Sequence, residues 1–152
     1  MPAVKDVVRI AALGDLHYSR NASQGSLQPL FSQIAETADI LVICGDLNVA
    51  HTDHDVHVKE RKAKAVGQQP EERELMTRIL SRGLSDVARQ LHPGRDDIFT
   101  WWPPWRNMRQ RNIGWRIDYV FASVALATTA TSCPVLAEIG TSDHAPVMAT
   151  FG

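Results

Sequence analysis

The tetrapeptide Gly45-Asp46-Leu47-Asn48 places a carboxylate and an amide close together, directly after an apolar run. Gly45 lets the backbone turn there, so both side chains can face one pocket. Phosphodiester hydrolysis needs a group that orients or deprotonates water, donors for the non-bridging oxygens and a cation for the developing charge. Asp46 and Asn48 supply the first two. A Gly-Asp turn closed by a capping Asn explains this tetrapeptide equally well when it is taken alone.

Asp143 and His144 form a second candidate, because this ionisable pair directly precedes the last apolar run of the chain. Asp118 stands inside the apolar segment 115–121, where a charge is costly to bury without a partner. His144 is the natural partner, since a carboxylate that accepts the Nδ1 proton fixes the imidazole tautomer. A surface turn is the alternative interpretation of residues 142–146.

A basic and aromatic loop separates these motifs. Its arginines and asparagines lie within residues 106–116, and they are Arg106, Asn107, Arg109, Arg111, Asn112 and Arg116. Such a local patch can neutralise phosphates even on a protein whose net charge is −1. Three tryptophans, Trp101, Trp102 and Trp105, can stack on bases, although aromatic residues beside prolines more often pack a loop onto its own core.

A histidine series, His51, His54 and His57, is interleaved with Asp53 and Asp55. The series has donors for a metal ion. It lies in a polar stretch without clear periodicity, however, and this setting favours a solvated surface loop over residues 51–69.

The patterns of apolar residues predict the elements that position these groups. Residues 7–13 and 39–44 read as buried strands, with a helix over 27–38 between them. Such a unit has parallel strands, so Asp15 and Asp46 should emerge at the same edge of the sheet. A helix starts at Pro70 and ends at Gly83, and a shorter one covers 84–91. Further strands are predicted over 98–102, 115–123 and 146–151.

Three strings, GDLN at 45–48, NIGWRIDYVFAS at 112–123 and SDHAPV at 142–147, occur in this order. Together they resemble the closing motifs of the exonuclease III and AP endonuclease family, within the endonuclease/exonuclease/phosphatase superfamily. Segment 70–94 is similar to the connecting helices of that family. The resemblance covers about residues 42–152, and three ordered motifs are far more specific than any one of them.

The resemblance implies a Mg²⁺- or Mn²⁺-dependent nuclease that acts on DNA in repair. It implies that Asp46 orients or activates the attacking water, that Asn48 binds the phosphate and that Asp143 ligates the metal. His144, paired with Asp118, would stabilise the transition state. Trp115 would border the pocket for an abasic sugar. The implied DNA-contacting side chains are those of the basic loop, namely Arg106, Asn107, Arg109, Arg111 and Asn112.

The first part of the chain, about residues 1–45, resembles a different family. The string RIAALGDLHYS at 9–19, a helix and DILVICGDL at 39–47 are similar to the opening of calcineurin-like metallophosphoesterases. There, an Asp-x-His motif binds one metal and the Asp of a Gly-Asp motif bridges two. The matching residues here are Asp15, His17 and Asp46, but the later Gly-Asn-His motif of that family is absent.

Two resemblances that meet at VICGDL indicate a chimera. The glutamate that ligates metal in the nuclease family is not recognisable, so Asp15 and His17 would replace it. A dinuclear metallophosphoesterase is the second hypothesis, and a folded chimera with an incomplete, inactive site is the third. Metal and carboxylate chemistry is common to the nuclease hypothesis and to the metallophosphoesterase hypothesis.

Length and composition predict a single domain over 1–152, since 152 residues with 44% hydrophobic content bury one core comfortably. The resemblance implies an α/β sandwich of two mixed β-sheets flanked by helices, of the four-layer α/β/β/α type and shortened relative to the family. Self-association would complete that sandwich. Two cysteines without metal-ligand spacing indicate a reducing, cytoplasmic compartment. We expect neither a signal peptide nor a membrane span.

Overall fold

The computed structural model describes residues 9–13, 28–38 and 40–152. Its strands are β1 (Ile10–Leu13), β2 (Ile40–Asp46), β3 (Leu84–Asp86), β4 (Asp118–Ser123), β5 (Ala130–Ser132) and β6 (Thr150–Phe151). Its helices are α1 (Gln28–Thr37), α2 (Pro70–Leu80), α3 (Val87–Leu91) and α4 (Val124–Ala127), and 3₁₀ turns cover Asp53–Asp55 and Val58–Glu60.

Four strands form one mixed sheet in the order β1-β2-β4-β3. Strands β1 and β2 are parallel, as predicted for two strands joined through a helix. Strand β4 runs antiparallel to both β2 and β3, and β5 pairs with β6 in a separate antiparallel sheet. The α/β class is therefore confirmed, with two sheets and helices, while the single-domain organisation over 1–152 stays a prediction.

Strand β4 is buried on both faces. Val120 and Ala122 lie in a cluster with residues of α3, β5 and β6, whereas Tyr119 and Phe121 lie in a cluster with Met76 of α2. Because successive side chains of a strand point to opposite faces, both apolar clusters depend on this one strand. The near-continuous apolar sequence of β4 follows from that double burial.

The helix predicted over 84–91 is wrong for its first three residues. Leu84–Asp86 form β3, which pairs with β4, because the sheet edge supplies backbone partners that a helix start would lack. The helix then begins at Val87. The Asp86 carboxylate caps it by accepting the N–H of Arg89 at 3.0 Å.

The strand predicted over 98–102 does not form, and the strand predicted over 146–151 is too long. Trp101 makes only isolated bridges, to Trp115 and to His144. Pro103 and Pro104 follow without an N–H to donate, so no ladder extends there. The last strand is reduced to Thr150–Phe151, and the strand predicted over 115–123 begins at Asp118.

The segment 51–69 is only in part the solvated loop that its polarity predicted, since Asp53, His54 and residues 61–64 are exposed while two short stretches are buried. Asp55 and Val56 are fully buried and Gln68 is nearly so. The first 3₁₀ turn forms because the Asp55 carboxylate accepts both the N–H and the hydroxyl of Thr52, each at 2.9 Å. The histidine series of this segment belongs to no group of three or more potential metal ligands among the described residues.

Within the described ranges, no helix combines the length and the apolar character of a membrane span.

Candidate active site

Asp46 and Asp118 occupy partner positions where the end of β2 pairs with the start of β4. Two like charges opposite each other destabilise a sheet unless something compensates them. His144 lies against both carboxylates. Its Nδ1 is 2.9 Å from Oδ2 of Asp118, and its Nε2 is 3.9 Å from Oδ2 of Asp46. The structure therefore brings together three residues that the sequence predicted as catalytic.

The hydrogen bond between His144 and Asp118 fixes the imidazole. An ionised carboxylate can only accept, so Nδ1 carries the proton and donates it to Oδ2. The backbone directly after His144 is anchored to Thr100, whose carbonyl accepts the N–H of Ala145 at 2.7 Å. Nε2 is thus directed to the Asp46 side of the site, as the sequence predicted for an oriented histidine.

Thr100 is a residue of the site that the sequence analysis missed. Its buried hydroxyl oxygen accepts the backbone N–H groups of Ile117 and Asp118, each at 3.0 Å. The Asp118 side chain is also hydrogen-bonded to Thr100. A single threonine in an apolar stretch carries no signal of this role, because the role depends on a segment distant in sequence.

Burial raises the pKa of Asp118 above its ordinary value. Hydrogen bonds from Thr100 and His144 act in the opposite direction, and the negative charge of Asp46 adds to the rise. The two hydrogen bonds therefore offset part of the effect that burial has on the pKa of Asp118.

The turn after β2 holds Asp46 in place. Its Oδ1 accepts the backbone N–H of Asn48 at 2.7 Å, and Asn48 has a left-handed φ of 55° that asparagine tolerates well. Gly45 has a φ of 106°, which a residue with a Cβ rarely adopts. Asn48 is exposed beside Asp46. The structure thus keeps the two members of the GDLN motif adjacent at one edge of the sheet.

Asp143 points its carboxylate at a tryptophan. Its Oδ2 accepts the indole N–H of Trp101 at 2.9 Å, and this hydrogen bond lowers the pKa of Asp143. The indole of Trp101 packs edge-on against that of Trp115, with ring centroids 5.8 Å apart. The Nε1 of Trp115 is buried without a hydrogen-bond partner among the described residues. Trp115 therefore lies close to the site through Trp101.

The basic loop divides into an exposed tip and an internal part. Trp105, Arg106, Asn107 and Arg111 are exposed, and Arg106 and Asn107 have consecutive left-handed φ values of 54° and 53°. In contrast, the Asn112 side chain accepts from Trp102 Nε1 and donates to the carbonyl of Asp97. These hydrogen bonds engage both polar atoms of Asn112 inside the protein.

Arg116 does not belong to an exposed basic patch, and the expectation that grouped it there was wrong. It is 2% exposed and forms ion pairs with Asp55 at 2.7 Å and with Asp86 at 2.7 Å. Arg89 completes the network by pairing with Asp55. Because Arg116 and Asp118 are two residues apart in one extended segment, this buried network holds the segment that carries the Asp118 carboxylate.

Asp15 and His17, which the sequence predicted as metal ligands, lie outside the described residues. Asp46 is the predicted ligand whose carboxylate the structure places beside His144.

A sequence model of the endonuclease/exonuclease/phosphatase family matches residues 8–144. The chain is 37% identical over 107 residues to the exodeoxyribonuclease of Bacillus subtilis strain 168. The aligned region covers 70% of this chain and 42% of that protein. It is 39% identical over 107 residues to the DNA repair nuclease APEX1 of Danio rerio, and this alignment covers 70% of this chain and 34% of that protein.

Among solved structures, the 3′ phosphatase NExo from Neisseria, bound to a product DNA hairpin, matches with a TM-score of 0.74 and 31% identity. The match covers 84% of this chain and 51% of that one. The chain thus spans about half of that structure, and less than half of the two relatives in sequence. The family match includes positions 15 and 17, while the calcineurin-like resemblance and the chimera stay predictions.

Proposed function

Since this chain belongs to the endonuclease/exonuclease/phosphatase family, we propose that it is a metal-dependent phosphodiester hydrolase that acts on DNA in repair. The observation that carries the proposal is the position of His144, hydrogen-bonded to Asp118 and 3.9 Å from Asp46. The relatives that support it are named as an exodeoxyribonuclease and a DNA repair nuclease.

In this proposal, Asp46 orients and deprotonates the attacking water. One of its oxygens is fixed by the N–H of Asn48 and the other faces the imidazole, so the carboxylate is preorganised. His144 donates from Nε2 to a non-bridging phosphate oxygen when its ring carries a proton on both nitrogens, and Asp118, which accepts from Nδ1, stabilises that imidazolium. Asn48 donates from its exposed amide to the phosphate.

Enzymes of this family depend on a divalent metal ion. The carboxylate of Asp46 suits a hard cation, since Mg²⁺ and Mn²⁺ prefer oxygen ligands and Mg²⁺ needs only one or two carboxylates besides water and phosphate. We propose Mg²⁺ or Mn²⁺, held by Asp46 with Asp143, Asp15 and His17. The bound ion would supply positive charge to the phosphate as negative charge develops.

The exposed tip of the basic loop supplies the proposed DNA contacts. Arg106, Asn107 and Arg111 are exposed there and can approach the backbone phosphates. Trp115, packed against Trp101 near His144, would border the sugar of an abasic nucleotide. One related structure was solved with a product DNA hairpin, which supports DNA as the substrate class.

Two further parts of the proposal concern setting and assembly. Cys44 and Cys133 are both free thiols, which supports the cytoplasm as the compartment. Strand β1 ends the four-stranded sheet among the described strands, and Ile10 in it is 63% exposed. A second copy can pair or pack there. Sedimentation of the purified protein over a concentration series tests this self-association. A monomer at every concentration would contradict it.

Cleavage of an end-labelled duplex with a single abasic site tests the proposed activity. We expect the protein to cut it with Mg²⁺ or Mn²⁺, to stop in excess chelator, and to slow by at least about 10²-fold in Asp46→Asn. An uncut duplex in both metals, or an Asp46→Asn rate equal to wild type, would reject the proposal. Hydrolysis of a chromogenic phosphate ester that survives Asp118→Ala but not His17→Ala would instead identify the dinuclear phosphoesterase.

A further inference from the structure

Arg109 was predicted to contact DNA, but the structure holds its guanidinium against the protein's own backbone. Nε donates to the carbonyl of Ala137 at 3.0 Å, and Nη1 donates to that of Ser142 at 2.5 Å. Nη2 donates to the carbonyls of Ile139 at 2.8 Å and His144 at 3.5 Å. All four acceptors belong to residues 137–144, the segment that delivers Asp143 and His144 to the site.

The flat face of the same guanidinium is also occupied. The Cζ of Arg109 lies 4.6 Å from the ring centroid of Trp102, a residue that is 2% exposed. A guanidinium has five N–H donors in a fixed plane, and four hydrogen bonds plus a stacked ring leave little of it to engage a phosphate. A phosphate contact by Arg109 would require these bonds to break.

The backbone of residues 137–144 has few other anchors beside Arg109. The carbonyl of Asp143 accepts the N–H of Trp102 at 3.1 Å, the N–H of Ala145 donates to Thr100 at 2.7 Å, and the N–H of Ile139 donates to Leu136 at 3.1 Å. Ala137, Ile139 and Ser142 are exposed, so hydrophobic packing contributes little to their order. The position of His144 therefore depends on the Arg109 guanidinium, on the backbone hydrogen bonds to Thr100 and Trp102, and on its own hydrogen bond to Asp118.

We infer that Arg109 is a positioning residue for His144 and Asp143 and is not a phosphate-binding residue. The inference deepens the proposed function and rests on it for the catalytic part. A small displacement of an oriented catalytic group lowers turnover sharply while substrate binding is retained. Loss of a phosphate contact has the opposite signature, because it weakens binding and reduces its dependence on salt.

Three variants separate these roles: Arg109→Ala, Arg109→Lys and the matched control Arg106→Ala, from the exposed tip of the same loop. We expect Arg109→Ala to lower kcat by about 10²-fold with KM within about twofold, and to leave the slope of log Kd against log salt unchanged. Arg106→Ala should raise KM and reduce that slope by about one. Arg109→Lys keeps the charge but lacks the planar fork, so it should resemble Arg109→Ala.

Hydrogen exchange gives a readout that does not require activity. In Arg109→Ala and Arg109→Lys, amide exchange should accelerate by about tenfold or more in peptides covering 137–145 and not elsewhere, whereas Arg106→Ala should leave those peptides unchanged. An unchanged exchange rate in both Arg109 variants would overturn the inference. So would a reduced salt slope in Arg109→Ala that Arg109→Lys restores. Absence of DNA cleavage and binding in the wild type would overturn the proposed function, while the exchange data would still decide the role of Arg109.

Discussion

The Nδ1 of His144 donates to Oδ2 of Asp118 across 2.9 Å, although the two residues are 26 positions apart in the chain. Asp118 begins β4, whereas His144 lies outside the named strands, in a segment joined to Trp101 by an isolated bridge. The orientation of the pair therefore depends on how firmly the two segments that carry it are held in place.

Thr100→Val should destabilise the protein and disorder the pair, because it leaves the N–H groups of Ile117 and Asp118 without their shared acceptor. Each buried N–H that loses its acceptor costs about 1–3 kcal/mol, so a drop of roughly 2–4 kcal/mol in the free energy of urea unfolding is expected. Thr100→Ser keeps the acceptor oxygen and should stay within about 1 kcal/mol of wild type. A Thr100→Val variant that stays within about 1 kcal/mol of wild type, with the loss confined to Thr100→Ser, would mean that the methyl group and not the hydroxyl is what matters.

Asp55→Asn should remove stability in a pH-dependent way. Burial alone raises the pKa of Asp55, but the ion pairs with Arg116 and Arg89 outweigh it, and the net pKa is below the ordinary 3.8. A lowered pKa contributes stability above the unfolded-state value, and this contribution is lost as the pH falls through the folded-state value. At pH 7 we expect a loss of about 3–5 kcal/mol, since one partner of a buried network is removed.

The difference between wild type and Asp55→Asn should therefore shrink below about pH 4, as measured by urea unfolding across the acid range. The matched control is Asp53→Asn, in the same 3₁₀ turn, whose ion pair with Arg73 is solvent-exposed. Its stability should change little. A difference for Asp55→Asn that does not vary with pH would show that the carboxylate charge is not the cause.

Gly114→Ala should disrupt the contact between the Trp101 and Trp115 segments. A Cβ at Gly114 would meet the carbonyl oxygen of Trp101 and would come within 2.7 Å of Nε1 of Trp102. Backbone and a buried indole cannot move aside easily, so a cost of about 1–3 kcal/mol or more is expected in thermal unfolding. Gly94→Ala, where nothing lies within 4 Å of the added atom, should stay within about 0.5 kcal/mol. Comparable losses at both positions would contradict this steric argument.

The pairing of Asp118 with His144 could be predicted from sequence because a charge inside an apolar run needs a partner, and the adjacent Asp-His motif offered one. The pairing of Asp46 with Asp118 across the sheet could not be predicted, since the register between β2 and β4 depends on strands distant in the chain. Local sequence also misassigned Arg116. Neighbouring arginines suggested an exposed patch, whereas Asp55 and Asp86, supplied by two other segments, bury its charge.

The boundaries of the elements failed where tertiary contacts override local preference. Residues 84–86 form a strand because β4 offers an edge, and 98–102 form no strand because the prolines that follow end the pairing. Asp55 sits in a polar, histidine-rich stretch that looks solvated, yet two arginines bring it into the interior. The order of the motifs was enough to predict the family. Which of the polar residues are buried could be learned only from the fold.

The most direct test of the central claim is a double-mutant cycle on Asp118 and His144, read as the single-turnover rate of cleavage of an abasic-site duplex with saturating metal. If the two residues act as one unit, Asp118→Ala and His144→Ala each lower the rate by about 10²–10⁴-fold, and the double variant is no slower than His144→Ala alone. Losses that multiply in the double variant, or a wild-type protein that leaves the duplex intact, would contradict the account.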